Sequence, residues 1–442
     1  MENYTIIIYG GTGDLAKRKL IPAINALVKS NTNFKINVLG IGRRPYTEQE
    51  YKDFLLQGSE IPANMRISYF VADVEKKNSL KDLKKKIESI EDAEISGRIY
   101  YLSTSYTLFK NIAESIHSCC TENEKGFTRI IAEKPFGHNL KSSKRLNASL
   151  RKYFTEEQIY RADHYLAKET IENILRLRFS NPLFESVWNS KYIRKIKLVV
   201  DEELGVGNRL GYYDGSGAIK DMIQNHLLQT LSLVLMEPPD SLEENDFKKS
   251  KTEAIKKLFF KDEIITGQYD GYQEEVKNIN PGSKTETFVE LKLHSKAKRW
   301  NDAEIILRTG KMLNKKEAYI EIEFKKEPCM LYCNIGSAPN KLILHIQPLE
   351  NIELTMNTAL PGEKMNVIPV KMTFYPTCEF KANSPEGYEV IIKECLSGNK
   401  RIFMCDKEIE VAWKITDKIL LYINDIIPII YEHGSSGPEL TR

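Results

Sequence analysis

The chain has 442 residues, of which 41% are hydrophobic and 28% charged, and its formal net charge is +3. This length predicts two or three domains with a large buried core, and the 10% aromatic content argues against disorder. The balance of 64 basic and 61 acidic residues provides no overall field for nucleic acid or anionic lipid, and no stretch of about 20 uncharged apolar residues could span a membrane.

The N-terminal sequence and the cysteines indicate a cytoplasmic protein without a structural metal. The first eight residues lack the basic and apolar segments of a secretory signal and are typical of a strand instead. The seven cysteines include an adjacent pair, and Cys329 and Cys333 have no second pair or nearby histidine to complete a zinc site. We therefore expect neither a disulfide framework nor a bound metal.

The first third of the chain alternates short apolar runs with longer charged segments of helical periodicity. This alternation predicts an α/β domain built on a doubly wound, mostly parallel sheet. Strands are predicted at Thr5–Tyr9, Lys35–Gly40, Ile67–Ala72, Arg98–Leu102, Arg129–Ala132 and Gln158–Tyr160. Helices are predicted between them, for example at Leu15–Val28, Leu80–Ile90 and Leu108–Cys119.

After about residue 175 the pattern becomes that of a β+α domain with a large, mostly antiparallel sheet. Strands are predicted at Ile193–Val200, Thr285–Leu293, Tyr319–Glu323, Met330–Cys333, Leu342–Gln347 and Val367–Phe374. Helices are predicted at Ala218–Met236, Asp246–Phe260, Ser384–Leu396 and Glu408–Ile423. We expect the boundary between the two domains near residue 172.

A glycine-rich turn follows the first predicted strand. Its sequence, Tyr-Gly-Gly-Thr-Gly-Asp-Leu-Ala over 9–16, opens the first predicted helix. Glycines at this point allow the backbone to turn sharply and to approach a pyrophosphate at the N-terminus of the helix. An ordinary strand–helix turn is the alternative, but the position favours a dinucleotide site.

Arg43 and Arg44 follow the second predicted strand. Enzymes that select NAD usually have an acidic side chain here, which binds the ribose diol, whereas an arginine suits the 2′-phosphate of NADP. The alternative is a pair of solvated surface arginines. We expect NADP as the cofactor, with NAD as a weaker alternative.

The densest polar cluster is Tyr-Arg-Ala-Asp-His-Tyr-Leu-Ala-Lys-Glu over 160–169. It begins at the end of a predicted strand and is predicted to enter a helix, on which His164 and Lys168 share one face beside Tyr165. These three groups could bind a phosphate, with Asp163 directed elsewhere. A capped helix with a solvated charged face is the alternative.

The predicted helix at 218–236 carries one polar stripe on an otherwise apolar surface. Asp221, Asn225 and Gln229 recur at intervals of four residues, with His226 at the edge of the stripe. Side chains this short suit buried hydrogen bonds better than a solvated face. A lone histidine in such a place is more often a core residue than a catalytic base, so both interpretations remain open.

Two further segments place cations where a ligand could bind. Lys134 follows the fifth predicted strand, at the carboxyl edge where doubly wound sheets bind ligands. The segment 307–316 contains one arginine and three lysines and could hold an anionic substrate. Such lysines are also common as surface groups.

Five blocks of sequence, in order along the chain, resemble the glucose-6-phosphate dehydrogenase family. They are GGTGDLAKRKL, AEKPFG, RADHYLAKE, GYYDGSGAIKDMIQNHLLQ and RTGKMLNKK. The third block is the most specific, since it is close to the RIDHYLGKE of the family. The resemblance runs from Gly10 to the tail at 434–438, with Ala162, Ala167 and Lys220 as small departures inside the blocks.

The resemblance implies an NADP-dependent oxidoreductase that converts D-glucose 6-phosphate to 6-phospho-D-glucono-1,5-lactone, the first step of the oxidative pentose phosphate pathway. It also implies a Rossmann domain over 1–172 that binds NADP, and a β+α domain over 173–442 for substrate binding and dimerisation. A homodimer or homotetramer without nucleic-acid or membrane partners is expected.

The matching motifs also imply roles for individual residues. His226 is implied to be the general base, Asp163 the carboxylate that orients it, and Lys19 a neighbour of the reacting centre. The implied NADP site contains Gly10, Thr12, Gly13, Asp14, Leu15, Arg43 and Lys134. The implied substrate site contains Lys134, His164, Tyr165, Lys168, Glu202, Asp221, Lys311, Lys316 and Gln347.

Two other functions are weighed against this one. A sugar oxidoreductase of the glucose–fructose oxidoreductase type also has a Glu-Lys-Pro motif, but it does not require the DHYLAKE and QNHLLQ sequences. A catalytically silent NADP-binding regulator would keep the fold without turnover, and the presence of Asp163 and His226 counts against it.

Overall fold

The computed structural model describes residues 2–91, 94–120, 126–326, 337–360, 362, 366–375 and 387–440. The chain forms two compact units, the first from Met1–Lys168 with Pro385–Glu410 and the second from Glu169–Ser384 with Val411–Arg442. The first unit therefore includes a segment from the C-terminal part of the chain.

Strands and helices are numbered here in chain order. Strands β1 to β15 span Glu2–Tyr9, Phe34–Gly42, Met65–Val71, Gly97–Leu102, Phe127–Glu133, Ile159–Ala162, Ile193–Asp201, Leu258–Tyr269, Phe288–Ser295, Glu304–Gly310, Glu317–Phe324, Lys341–Gln347, Asn351–Ala359, Val367–Phe374 and Ile429–Tyr431. Helices α1 to α13 span Ile21–Ser30, Glu48–Leu56, Leu83–Ile90, Phe109–Cys120, Leu140–Arg151, Glu169–Phe179, Pro182–Glu185, Leu210–Asp214, Leu228–Leu235, Glu244–Lys256, Tyr272–Val276, Gly387–Ser397 and Asp406–Ile423. Two π-helical segments, Ala16–Leu20 and Ile219–Leu227, lead directly into α1 and α9.

The first unit contains a parallel six-stranded sheet in the order β3-β2-β1-β4-β5-β6. All six strands that the sequence predicts are present, and the predicted doubly wound sheet is confirmed. The central strand β1 is buried from Tyr4 to Tyr9, because helices cover both faces of such a sheet. Its continuous isoleucine run, rather than an alternating pattern, reflects this double burial.

Helix α12 belongs to the core of the first unit. Its apolar residues Ile391, Ile392, Cys395 and Leu396 are buried with residues of α1 in one hydrophobic cluster. The Arg129 guanidinium on β5 also donates hydrogen bonds to the carbonyls of Cys395 and Leu396, over 2.5 and 2.8 Å. The C-terminal segment is thus held to this unit by apolar packing and by hydrogen bonds.

The second unit contains a nine-stranded sheet in the order β14-β13-β12-β11-β7-β10-β9-β8-β15. The pairs β7–β10 and β8–β15 are parallel and the other neighbours are antiparallel, which confirms the predicted, mostly antiparallel sheet. At the end of β7, Asp201 pairs with Gly310 of β10 and with Glu317 of β11, and Gly310 pairs in turn with Phe288 of β9. Gln347 of β12 pairs with Ala318 of β11 at the same end. We call this end of β7 and its neighbours the Asp201 edge.

Several predicted elements differ from the structure. The lysine-rich helix ends at Lys256, and Leu258–Phe260 begins the long strand β8, so the prediction of helix through Phe260 was wrong. Strands β8, β10, β13 and β15 were not predicted, and the predicted strand Met330–Cys333 lies outside the described residues. Among the described helices, none has the length and the apolar character needed to cross a bilayer.

Candidate active site

The glycine-rich turn at the end of β1 has a backbone that other residues could not adopt without strain. Gly10 has φ +84°, and an added Cβ would lie 2.3 Å from the carbonyl oxygen of Ser103. The N–H groups of Gly10 and Gly11 donate to the carbonyl of Ile41 on β2, over 3.1 and 2.8 Å. The N–H of Gly13 donates to the carbonyl of Gly10 over 2.9 Å, which closes the turn.

This turn lies at the point where the order of strands in the parallel sheet reverses. Strand β1 lies between β2 and β4, so the chain runs outward to β3 on one side and to β6 on the other. The carboxyl edge at such a point is where doubly wound sheets bind ligands. The predicted residues Thr12, Asp14 and Leu15 lie in this turn, and the exposed Arg43 follows the adjacent β2.

Lys134 follows β5 at the same edge, next to a buried carboxyl group. The Glu133 side chain accepts a hydrogen bond from the Tyr101 hydroxyl on β4 over 2.5 Å. Burial raises the pKa of Glu133 to about 7, although the hydrogen bond from Tyr101 and the charge of Lys134 act in the opposite direction. Sequence reasoning did not single out Glu133, since a lone glutamate at a strand end has no distinguishing pattern.

The cluster at 163–168 follows β6 as a series of turns, and α6 begins only at Glu169. The prediction of a helix that carries His164 and Lys168 on one face was therefore wrong. The Asp163 carboxylate accepts a hydrogen bond from the Tyr165 N–H over 2.9 Å, and this local bond competes with helical geometry. The Lys168 ammonium lies 4.6 Å from the centre of the Tyr165 ring.

His164 packs between two tyrosines of the first unit. Its ring is edge-on to Tyr165, with centroids 5.2 Å apart, and stacks on Tyr388 of α12 at 5.6 Å with an interplanar angle of 10°. Gly387 allows this approach, because a Cβ there would lie 2.8 Å from the His164 carbonyl oxygen. Tyr388 was not among the predicted site residues, since more than 200 positions separate it from His164.

Four predicted substrate residues of the second unit lie along the Asp201 edge. Glu202 follows β7, Lys311 follows β10, Lys316 precedes β11 and Gln347 ends β12. The Lys311 ammonium forms an ion pair with the Glu202 carboxylate. Lys311 is 5% exposed, so this lysine is not a surface group as the alternative interpretation held.

The remaining predicted residues of the second unit lie on the π-helical segment Ile219–Leu227. Asp221, Asn225 and His226 are all buried, which contradicts a solvated polar stripe. The Asn225 side chain bonds locally, with its amide donating to the Lys220 carbonyl over 3.0 Å. π-Helical turns inside longer helices are frequent at functional sites, because the wider turn redirects side chains.

A buried carboxylate holds the start of this π helix. One Glu286 oxygen accepts a hydrogen bond from the Ile219 N–H over 2.9 Å, and the Glu286 carbonyl accepts one from the Ala218 N–H over 3.0 Å. The first N–H groups of a helix have no partner within the helix, so both bonds satisfy donors that burial would otherwise leave unpaired. Gly217, with φ +67°, leaves room for the carboxylate, since a Cβ would lie 2.4 Å from it.

Burial also changes the acidity of the Glu286 carboxyl group, which caps the π helix. It raises the pKa of Glu286 to about 7, while the Ile219 N–H and the nearby Lys220 act in the opposite direction. Glu286 was not predicted as a site residue, because its role depends on backbone groups that are about 67 positions away in the sequence.

Comparison with known proteins gives full-length matches. Residues 7–173 match the family profile described as glucose-6-phosphate dehydrogenase, NAD binding domain, and residues 175–442 match that of the C-terminal domain. The chain is 36% identical to glucose-6-phosphate 1-dehydrogenase of Bacillus subtilis, covering 98% of this chain and 95% of the relative. It is 35% identical to the enzyme of the same name from Borreliella burgdorferi, covering 99% and 96%.

Solved structures agree with these matches. A glucose-6-phosphate dehydrogenase in complex with its substrate glucose-6-phosphate superposes with a TM-score of 0.91 at 29% identity, covering 99% of this chain and 96% of that chain. A levoglucosan dehydrogenase superposes with a TM-score of 0.56 at 12% identity, covering 97% and 100%, and this likeness shows the fold alone.

The buried cap predicts a pH-dependent contribution to stability. Because the pKa of Glu286 rises from 4.5 in the unfolded chain to about 7 in the folded protein, the unfolded state loses its proton first as the pH rises. The free energy of unfolding should therefore fall between pH 4.5 and 7 and level off above. Glu286→Gln removes this titration and should reduce the fall by up to about 3 kcal/mol.

Urea denaturation at pH 5 and pH 8 measures this difference. Glu133 titrates in both proteins, so its contribution cancels in the comparison. Glu274→Gln is the control, because that carboxylate is exposed and its bond to Lys277 lowers its pKa. An unchanged pH dependence in Glu286→Gln would show that the buried cap does not titrate in this range.

Proposed function

The chain belongs to the glucose-6-phosphate dehydrogenase family, and from that premise we propose that it oxidises D-glucose 6-phosphate to 6-phospho-D-glucono-1,5-lactone with hydride transfer to NADP. This reaction is the first step of the oxidative pentose phosphate pathway. The observation that carries the proposal is the full-length family match, which includes the blocks around Asp163 and His226. We assign NADP binding to residues 1–172 and substrate binding and dimerisation to residues 173–442.

The turn at the end of β1 suits a dinucleotide. Gly10 carries no side chain, so the backbone can approach a pyrophosphate closely. We assign this contact to Gly10, Thr12, Gly13, Asp14 and Leu15, with Lys134 at the end of β5 on the same edge of the sheet. Arg43 is exposed beside the turn and would bind the 2′-phosphate through its planar guanidinium.

Proton transfer is assigned to His226. Bound NADP would supply the hydride acceptor for C1 of the sugar. His226 takes the proton of the anomeric hydroxyl as general base, and Asp163 orients the imidazole and stabilises its positive charge. The burial of His226 and the capped helix that carries it support a base with a fixed orientation.

Phosphate and sugar recognition is assigned to two sets of cations and polar groups. In the first unit, His164, Tyr165 and Lys168 lie together in the turns after β6, and His164 and Tyr165 would hold the phosphate. In the second unit, the further sugar or phosphate contacts are assigned to Lys311, Lys316, Glu202, Asp221 and Gln347. Lys311 is buried and paired with Glu202, so its ammonium is kept in one place before substrate arrives.

We also propose that the protein is a homodimer, or a tetramer built from such dimers, through the outer strands of the large sheet. On one face of β13 and β14, the cross-strand pairs Ile352–Phe374, Leu354–Met372 and Met356–Val370 are all apolar. Met372 is 60% exposed, and Phe374 and Met356 are also exposed. A contiguous apolar face of this kind usually marks an interface. We also propose a cytoplasmic location.

The first test is reduction of the nicotinamide by purified protein and its His226→Asn variant. The wild type should reduce NADP rapidly with glucose 6-phosphate, more slowly with NAD in place of NADP, and little with unphosphorylated glucose. His226→Asn should lose about 10³-fold or more in kcat, because the general base is gone, while binding of glucose 6-phosphate persists.

His294→Asn is the matched histidine control. His294 lies on β9 and bonds to Glu263 of the adjacent β8, and neither residue is assigned to the site. A folded wild type without activity toward glucose 6-phosphate would favour another sugar oxidoreductase or a silent regulator. Equal loss of binding and turnover in His226→Asn would indicate a structural role for the histidine.

The assignment of Arg43 predicts a change in cofactor preference. Arg43→Ala should raise the KM for NADP by about tenfold to a hundredfold, because charge-assisted bonds to the 2′-phosphate are lost. The KM for NAD should change little. Arg44→Ala is the control, since the Arg44 guanidinium lies over the Phe54 ring, 5.7 Å from its centre. Equal losses for both cofactors would contradict the 2′-phosphate contact.

The proposed interface predicts dissociation when a charge is placed on the apolar face. Met372→Lys should shift the protein to a monomer in sedimentation velocity, because the buried ammonium would have no partner in the dimer. Thr373→Lys is the control, because Thr373 pairs with Glu353 on the opposite face of the strands. An unchanged oligomer in Met372→Lys would place the interface elsewhere.

A further inference from the structure

The C-terminal tail runs along the Asp201 edge and contacts the loop that carries Lys311. Strand β15 pairs in parallel with β8, so the chain after Tyr431 emerges at this edge, beside Tyr269. There Tyr431 donates a hydrogen bond from its hydroxyl to the Lys311 carbonyl over 2.7 Å. Gly434 donates its N–H to the Met312 carbonyl over 2.9 Å, and Asn314 donates its N–H to the Ser435 carbonyl over 3.0 Å.

The loop has a backbone conformation that needs such support. Met312 has φ +53°, which is a left-handed conformation that costs energy for a residue with a side chain. The loop is also held from the other side, where the Lys311 N–H donates to the Thr287 carbonyl and the Leu313 N–H to the Glu202 carbonyl, each over 3.0 Å. The tail completes this set of bonds from the C-terminal side.

The tail is packed as well as hydrogen-bonded. Tyr431 is 6% exposed and lies edge-on to Phe288, with ring centroids 5.8 Å apart. A Cβ on Gly437 would lie 2.8 Å from the Phe288 ring and 3.1 Å from Leu313. Arg308 also donates from its guanidinium to the Ser436 carbonyl over 2.5 Å. Packing and hydrogen bonds therefore fix the position of the tail against the sheet.

We infer that the segment 431–437 positions Lys311 for substrate, with Tyr431 as the principal positioning residue. This inference rests on the proposed function, in which Lys311 contacts glucose 6-phosphate. The backbone of Lys311 is fixed by hydrogen bonds to Thr287 and Tyr431. The position of this backbone determines where the Lys311 ammonium can contact the substrate. A displacement of that backbone by a fraction of an ångström weakens a directional contact, because bound geometry determines its strength.

Tyr431→Phe removes the hydroxyl and keeps the ring. Loss of the hydrogen bonds of this hydroxyl to the Lys311 carbonyl and to the Thr287 hydroxyl should raise the KM for glucose 6-phosphate about threefold to tenfold. The KM for NADP should stay unchanged, and kcat should fall less than kcat/KM for the sugar phosphate. Gly437→Ala, which displaces the tail against Phe288 and Leu313, should produce the same pattern without altering any hydroxyl.

Tyr272→Phe is the matched control. Tyr272 lies in the same hydrophobic cluster as Tyr431, is fully buried, and donates its hydroxyl to Asp214 over 2.9 Å. Its replacement should lower the melting temperature by a similar amount without changing the KM for glucose 6-phosphate. If Tyr272→Phe raised the KM as much as Tyr431→Phe does, general destabilisation would explain the effect. That result would overturn the inference.

A double-mutant cycle with Lys311→Ala separates positioning from other effects. If Tyr431 acts through Lys311, Tyr431→Phe should not lower kcat/KM for glucose 6-phosphate further in the Lys311→Ala background. Independent, multiplicative losses would overturn the inference, as would an unchanged KM in Tyr431→Phe. Failure of the proposed function is distinguishable, because the wild type itself would then be inactive with glucose 6-phosphate.

Discussion

The second unit depends on two consecutive residues that precede β9. Glu286 satisfies the first N–H groups of the π helix that carries His226, and Thr287 accepts the N–H of Lys311 while its hydroxyl bonds to Tyr431. Residues 286 and 287 thus hold both the π helix 219–227 and the loop that carries Lys311. The N–H groups of Ile219 and Lys311 belong to buried residues, so the loss of either hydrogen bond would cost about 1–3 kcal/mol. The positions of His226 and Lys311 are therefore coupled through residues 286 and 287.

The fold was predictable where burial leaves a periodic pattern. Isoleucine-rich β1 and its parallel neighbours are apolar throughout because helices cover both faces, and the sequence predicts all six strands. Strand β8 was not predicted, and its first three residues were assigned to a helix, because β8 follows the lysine-rich helix α10 after a single residue and no turn signal separates them. Strand β15 is only three residues long, and its place in the sheet depends on β8, which lies more than 150 positions earlier.

The candidate site was predictable to the extent that its residues lie in compact motifs. Lys311 and Lys316 belong to such a motif, and the register of the sheet brings them to one edge with Glu202, which lies outside the five blocks. The groups that support them were not predictable, since Glu286, Tyr388 and Tyr431 act on partners far away in the sequence. The turns at 163–168 show a second limit, because the hydrogen bond from the Tyr165 N–H to Asp163 replaces the helix that the spacing of His164 and Lys168 suggested.

The discontinuous first unit has a consequence for biosynthesis. Its sheet is encoded by the first 162 residues, yet α12, which packs against α1, is translated after nearly all of the second unit. A nascent chain that has left the ribosome as far as β6 therefore still exposes the face of α1 that Ile391 and Cys395 will cover. The glycine-rich turn after β1 can form early, but the unit around it matures only near the end of synthesis. Premature termination before residue 387 would leave the N-terminal unit without this cover, and such fragments would be substrates for chaperones and proteases rather than independent domains.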